Sequence, residues 1–388
     1  MKTLVALLDE AIQVDEILEN AGKYLAHIPK PGDSSDKKNE TLGEHLNLVV
    51  ANARRICELH GLNEVVERLV GQLVKQLNFD KKEAAADWVA MLFSNTIIFH
   101  DFGKVNEYFQ VDRMKNDDAF FKGVAPEIFT PRYGHSELGG YIFSVYHLEK
   151  IEDLDMPDED RSKLAALTLL FSNTILLHHS PKLKQPGERV LRSQFIKYQR
   201  QIEKYLRLYK GFPKPAISTF CFDNIKTIVK EFEDNKAGFA LFALLRLNFS
   251  LLTAADYMAT WHYGYEMEMQ TERHWGVLGS PLRTALIHAA RTAKEYNALA
   301  YKNFEDKNYR LRHPLSPNGD NLNLLRTEMT VEVLQQLERH HEQRLFYLEA
   351  PTGGGKTNLS LLAVVELLRS DPGLNKVFYV FPFTTLIT

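Results

Sequence analysis

Five histidines and two aspartates stand near the ends of apolar segments in this 388-residue chain, where burial ordinarily excludes ionisable groups. His100 and Asp101 follow "DWVAMLFSNTIIF", which is apolar almost all round. That pattern marks a helix in the middle of a core, with Asp87 as its cap and Gly103 as its stop. His45 lies in the first turns of "TLGEHLNLVVANARRIC", behind a Thr41 to Glu44 capping box. His178 and His179 close "LAALTLLFSNTILLHH", and Asp256 comes late in "FALFALLRLNFSLLTAADYMAT". His135 stands where the glycine-flanked "RYGHSELGGYIF" enters a helix. An ionised carboxylate withdrawn from water is costly unless it is paired or bound to metal, so Asp101 requires a partner.

Imidazole and carboxylate together favour borderline transition ions over a magnesium ion held only by oxygen. Seven donors exceed one tetrahedral site and suit a pair of ions roughly 3.5 to 4 Å apart, which a carboxylate bridges. Adjacent residues at a helix end diverge, so His100 holds one ion while Asp101 bridges. The reaction such a pair serves is phosphoester hydrolysis. The other histidines, His27, His60, His147, His262, His274, His288, His313, His340 and His341, read as hydrogen-bonded core or capping residues.

Taken in order, His45, His100-Asp101, His135, His178-His179 and Asp256 resemble the HD superfamily of metal-dependent phosphohydrolases. Within it, "HDFGK" and the tandem "HH" resemble the nuclease domain of the helicase–nuclease effector of type I CRISPR interference, over about residues 45 to 256. The resemblance implies one ion held by His45, His100, Asp101 and Asp256, and a second held by Asp101, His135, His178 and His179. It implies divalent transition ions of the Mn, Fe, Co or Ni class, with Lys104 beside them to contact phosphate. Single-stranded DNA is the implied substrate, and an RNA-guided surveillance complex the implied partner.

The elements that must position these residues are helices. Residues 1–265 show apolar positions at three- and four-residue spacing, the pattern of an all-helical domain, with no internal repeat evident. Residues 266–322 read as a partly helical connector. From 323 the pattern becomes helix, strand at 346–349, helix, and strand in "KVFYVF", the start of a RecA-like α/β sheet. The expected fold is therefore mainly α: an all-helical HD-type phosphohydrolase domain, then the beginning of a helicase domain. Between the two expected strands lies Ala350-Pro351-Thr352-Gly353-Gly354-Gly355-Lys356-Thr357. Its glycines allow backbone N–H groups to close round a phosphate, with Lys356 on the outer phosphates and Thr357 on magnesium, so ATP with Mg is the expected ligand. The A-x-x-G-x-G-K-T form and the downstream "VFYVFPFTTLIT" resemble superfamily 2 helicases. No Asp-Glu pair follows Thr357, and only Gln335 and Gln336 stand near the place of an adenine-reading glutamine. The chain is accordingly read as a truncated helicase that does not hydrolyse ATP alone.

Composition bounds the rest. A formal charge of -3 confines any nucleic-acid contact to a local patch. Residues 182–216 supply one, with ten Lys or Arg against Glu188 and Glu203 and interleaved aromatics such as Tyr198 and Tyr205. Such a stretch either guides a single strand or forms an amphipathic helix with solvated cations. Cys57 and Cys221 show neither disulfide nor zinc spacing. No secretory signal and no uninterrupted apolar run of about 20 residues is present, so a cytoplasmic protein without a membrane is expected. Two readings compete with a nuclease: an HD-type nucleotide phosphohydrolase, and a docking module whose metal site is structural.

Overall fold

The computed structural model describes residues 2–10, 13–116, 135–180, 183, 210, 230, 234, 238–265, 275–306, 308 and 322–380. It divides into two compact units, Met1–Glu268 and Met269–Thr388. The basic stretch at 182–216 falls almost wholly outside the described residues, as do His274, His313 and the last part of "VFYVFPFTTLIT".

The first unit is built from helices α1 (Leu4–Asp9), α2 (Val14–Ile17), α3 (Leu42–Leu59), α4 (Leu62–Gln76), α5 (Lys82–Phe99), α6 (His135–Glu152), α7 (Asp158–Leu177) and α8 (Gly238–Tyr265). A two-stranded antiparallel ribbon, β1 (Leu25–His27) with β2 (Glu40–Thr41), precedes α3. The capping box is formed as expected: Thr41 Oγ1 accepts from Glu44 N–H, and the Glu44 carboxylate accepts from Thr41 N–H. It fixes the first turn of α3, which carries His45.

The start of α5 differs from expectation. Asp87 lies inside the helix, which begins at Lys82. The cap comes from another element: the buried Asp160 on α7 accepts hydrogen bonds from Asp80 N–H (3.2 Å) and Lys81 N–H (3.0 Å). A carboxylate 80 residues away thus satisfies amides beside the helix start, and the Ala84–Ala86 run extends helix through Asp87.

Helix α8 is long and apolar enough to cross a membrane, yet half of that window is buried inside the unit. Its buried Asn248 donates to Phe93 O (2.7 Å) and pairs with Thr96 Oγ1, pinning α8 to α5. It is a core helix here.

His147 is the core histidine that its place in an apolar helix suggests. Its Nδ1–H donates to Phe143 O (2.7 Å), and Nε2 accepts from Asn95 (2.8 Å). Burial lowers its pKa from the ordinary 6.5 to about 3, against the Phe143 bond. Between those values the unfolded chain binds a proton that the native state refuses, so this group's contribution to stability is complete above 6.5 and falls as pH drops toward 3. In the ion-free protein, His147→Gln is expected to reduce the loss of unfolding free energy between pH 6.5 and 4, at up to about 1.4 kcal/mol per pH unit. Urea titrations at several pH values measure it, and equal slopes for the two proteins refute it.

In the second unit, α9 (Ser280–Thr292), α10 (Glu295–Glu305), α11 (Leu322–Arg339) and α12 (Lys356–Ser370) share one core, in which Ala290, Tyr301, Leu334, Leu362 and Val365 pack together. The expected strands are not formed: neither 346–349 nor 376–380 pairs with another strand among the described residues. Tyr347, Phe378 and Val380 are exposed. A strand exists only through the ladder to its neighbour, so apolar composition without a described partner leaves irregular backbone.

Candidate metal centre

Five helices bring polar residues to one place in the first unit, four of them from a helix end and the fifth from within a helix. His45 comes from the first turn of α3, His100 and Asp101 from the end of α5, His135 from the start of α6, His178 and His179 from the end of α7, and Asp256 from α8. Their donor atoms form two groups that share Asp101, one of His45, His100, Asp101 and Asp256 and the other of Asp101, His135, His178 and His179. Within each group the atoms lie within 4.8 Å of one another. All seven sequence candidates are therefore brought together.

The carboxylate of Asp101 is split between the groups. Its Oδ2 lies 3.2 Å from His45 Nε2 and 3.4 Å from His100 Nε2. Its Oδ1 lies 3.1 Å from His135 Nε2 and 3.9 Å from His178 Nε2. Asp256 Oδ1 is 3.2 Å from His45 Nε2, and His135 Nε2 is 2.9 Å from His179 Nε2. Both ring nitrogens of His45, His100 Nε2 and His178 Nε2 are buried without a hydrogen-bond partner, and the buried Asp101 oxygens face Lys104 Nζ and the surrounding imidazole nitrogens. Convergent unsatisfied donors of this chemistry, screened from water, fit divalent transition ions.

Two rings are held by one device. His100 Nδ1 bonds Ile97 O (2.7 Å) and His178 Nδ1 bonds Ile175 O (2.6 Å), which leaves each Nε2 facing the centre. The segments bearing them match: "FSNTIIFH" at 93–100 and "FSNTILLH" at 171–178. Both threonines and both serines bond the carbonyl three residues back, and Phe93 and Phe171 meet at 6.4 Å. The expectation of no internal repeat is thus corrected for this short stretch. Its signal was present as identical residues but too brief to register as a periodic architecture.

The local charges divide the groups. Burial raises the Asp101 and Asp256 carboxyls, but Lys104 and His100 hold Asp101 well below its ordinary range, and His100 and His45 do the same for Asp256. Burial and Lys104 press His45 down, yet Asp101, Asp256 and Glu40 outweigh them and lift it to about 10. His100 rises to about 9 for similar reasons, against its burial. In the second group burial wins: His135 and His178 are lowered, and His179 falls to about 4. The three-histidine group thus offers neutral imidazoles, whereas ion uptake at the His45–His100 group must displace protons.

Gly103, read as a helix stop, has a different function. The residues after Asp101 form a 3-10 turn, Phe102–Val105, packed so closely on α6 that a Cβ on Gly103 would lie 1.8 Å from His135 O. Lys104, buried in this turn, places Nζ 2.7 Å from Asp101 Oδ2. Gln110 ties the turn to β1, accepting from Leu25 N–H (3.0 Å) while donating to Lys104 O (2.7 Å) and Leu25 O (3.0 Å).

Sequence reading missed Glu40, and it read His27 as hydrogen-bonded without naming its partner, which is Glu40. His27 Nδ1 lies 2.6 Å from Glu40 Oε2, which is 3.4 Å from His45 Nδ1. Burial opposes ionisation of Glu40, but bonds from His27 and His45 hold it down to about 2. The one available sign was its place immediately before the capping box.

In the second unit, Gly353 and Gly355 have φ of 79° and 81°, the left-handed backbone that glycine adopts without strain. Gly354 N–H bonds Pro351 O, and α12 starts at Lys356, whose Nζ donates to Ala350 O (2.9 Å). Thr352 and Thr357 are exposed at this turn.

Helices converging on a doubled His/Asp cluster define a metal-dependent phosphohydrolase of the HD type. A family model described as Cas3, HD domain, matches residues 30–243, more than half of the chain, and the chain belongs to that family, whose members are metal-dependent HD nucleases of CRISPR systems. No curated protein and no solved structure matches the chain.

Proposed function

We propose that the chain is a single-stranded DNA nuclease of type I CRISPR defence, acting in the cytoplasm through two divalent transition ions of the Mn, Fe, Co or Ni class. The observation that carries this reading is the division of one buried carboxylate, Asp101, between two four-residue donor groups. His45, His100, Asp101 and Asp256 would hold one ion, and Asp101, His135, His178 and His179 the other. Bound there, the ions supply Lewis acidity to a phosphoryl group and acidify water. The chain's own part is to orient the donors, through Ile97 O and Ile175 O, and to keep a cation, Lys104, beside the shared carboxylate where a phosphate approaches. The stretch at 182–216 would guide the strand, and an RNA-guided surveillance complex would deliver it.

The test is direct. Purified protein with Mn²⁺ or Co²⁺ is expected to cut circular single-stranded DNA and to leave nucleoside phosphates intact. Hydrolysis of nucleoside phosphates with no scission of DNA would favour a nucleotide phosphohydrolase instead, and two bound ions with neither activity would favour a structural site.

The same reading links the nuclease to an ATP-dependent helicase, whose phosphate loop would be Thr352 to Thr357 with ATP and Mg as ligand. Lys356 belongs to the second compact unit and all seven donors to the first. Lys356→Ala is therefore expected to leave metal-dependent cleavage of free single strands unchanged. Loss of that cleavage in a gel assay would show that the two sites are not independent.

A further inference from the structure

We infer that Glu40 is a positioning residue of the metal centre: it holds the Nδ1 edge of His45 so that Nε2 faces Asp101 and Asp256, and His27 fixes Glu40 in turn. This rests on the reading of His45 as a ligand. His100 and His178 lie at helix C-termini, where carbonyls lack intrahelical partners and one can accept from Nδ1. His45 lies in the first turn of α3, where the unsatisfied groups are N–H donors, so its own helix offers no acceptor. The acceptor must come from outside. Glu40, almost fully buried on β2 two residues before the helix begins, places Oε2 3.4 Å from His45 Nδ1, an ion-pair approach to a ring nitrogen that has no other hydrogen-bond partner.

Glu40 is itself braced. His27 Nδ1 approaches the same Oε2 at 2.6 Å, and the His27 ring meets the His45 ring edge-on at 4.9 Å. On its other side His27 stacks on Tyr263 at 5.2 Å, and Lys37 lies 4.6 Å over the Tyr263 ring. Lys37 Nζ donates to Gly264 O (2.9 Å), and Tyr263 Oη–H donates to Lys38 O (3.1 Å). Residues 25–41 are thereby strapped to the end of α8, the helix that carries Asp256. The strap couples the acceptor of one ligand to the helix of another.

Titration of the ion-free 388-residue protein with Co²⁺, read by visible absorption and by elemental analysis after gel filtration, tests the inference. Wild type is expected to bind two ions. Glu40→Ala should weaken one of them by about 10- to 100-fold and alter its absorption band, as loss of an outer hydrogen-bond partner does. Glu40→Gln, which keeps an oxygen acceptor, should recover most of the affinity, and His27→Ala should shift it in the same direction as Glu40→Ala by less. Two ions bound by Glu40→Ala with wild-type affinity and spectrum would overturn the role. So would three ions in wild type and two in Glu40→Ala, because Glu40 would then be a ligand of its own site with His27. Should Glu40→Ala not fold, a His27→Ala protein indistinguishable from wild type would overturn the brace. No cobalt bound by wild type would instead sink the metal-centre reading itself.

Discussion

Asp101→Ala is expected to strip both ions and abolish cleavage. Its two oxygens serve different groups, so the substitution takes one donor from each four-residue set. The His135–His178–His179 group suffers more, because it loses its only carboxylate and keeps three neutral imidazoles. Affinity there should fall further than the roughly 10- to 100-fold that follows loss of an outer partner. The ion-free protein should also lose about 3 to 5 kcal/mol, since Lys104 remains buried without its carboxylate. Elemental analysis and a nuclease assay on the folded variant decide the matter, with Asp101→Asn as the form that preserves shape. Two ions retained by Asp101→Ala would refute the shared-carboxylate reading.

Gly103→Ala should lower stability and cost the protein one ion of the two. The new methyl would sit 1.8 Å from His135 O and 2.8 Å from Gly139 N, both backbone atoms that no rotamer change can move aside. The same junction is tight from the other side, since a Cβ on Gly139 would lie 2.8 Å from His100 O. The turn bearing Asp101 and the start of α6 must therefore separate by about 1.6 Å to bring that contact to the ordinary 3.4 Å. Ligand distances tolerate only about 0.2 Å, so the group containing His135 is disrupted while His45, His100 and Asp256 keep theirs. Overpacking of this kind costs about 1 to 3 kcal/mol. A melting curve and an ion count test it together, and an unchanged melting temperature with two ions bound would contradict it.

Much of the candidate site is legible in the sequence, because burying a charge is expensive enough to leave a visible anomaly in an apolar run. His100-Asp101 and His178-His179 end long apolar runs, and Asp256 interrupts another. The capping box that starts α3 was equally readable, being a local device of four residues. Other features were illegible for one common reason: they depend on contacts across sequence distance. Asp160 caps the start of α5 from another helix. Gly103 is required by the approach of α6 rather than by its own helix end. His27 read as a hydrogen-bonded core or capping residue, but its partner Glu40 is supplied only by the ribbon. The segments at 346–349 and 376–380 have strand composition, but pairing belongs to a neighbour and not to composition.

Sequence alone thus determined which residues have the chemistry to hold ions and that helices carry them, since side-chain type and apolar period are local properties. Only the tertiary structure decided how they are grouped, with the two oxygens of Asp101 turned to separate groups and Glu40 brought from outside the helix to 3.4 Å from His45 Nδ1. Direction and distance between helix ends are set by packing of their apolar faces, and no linear spacing encodes them.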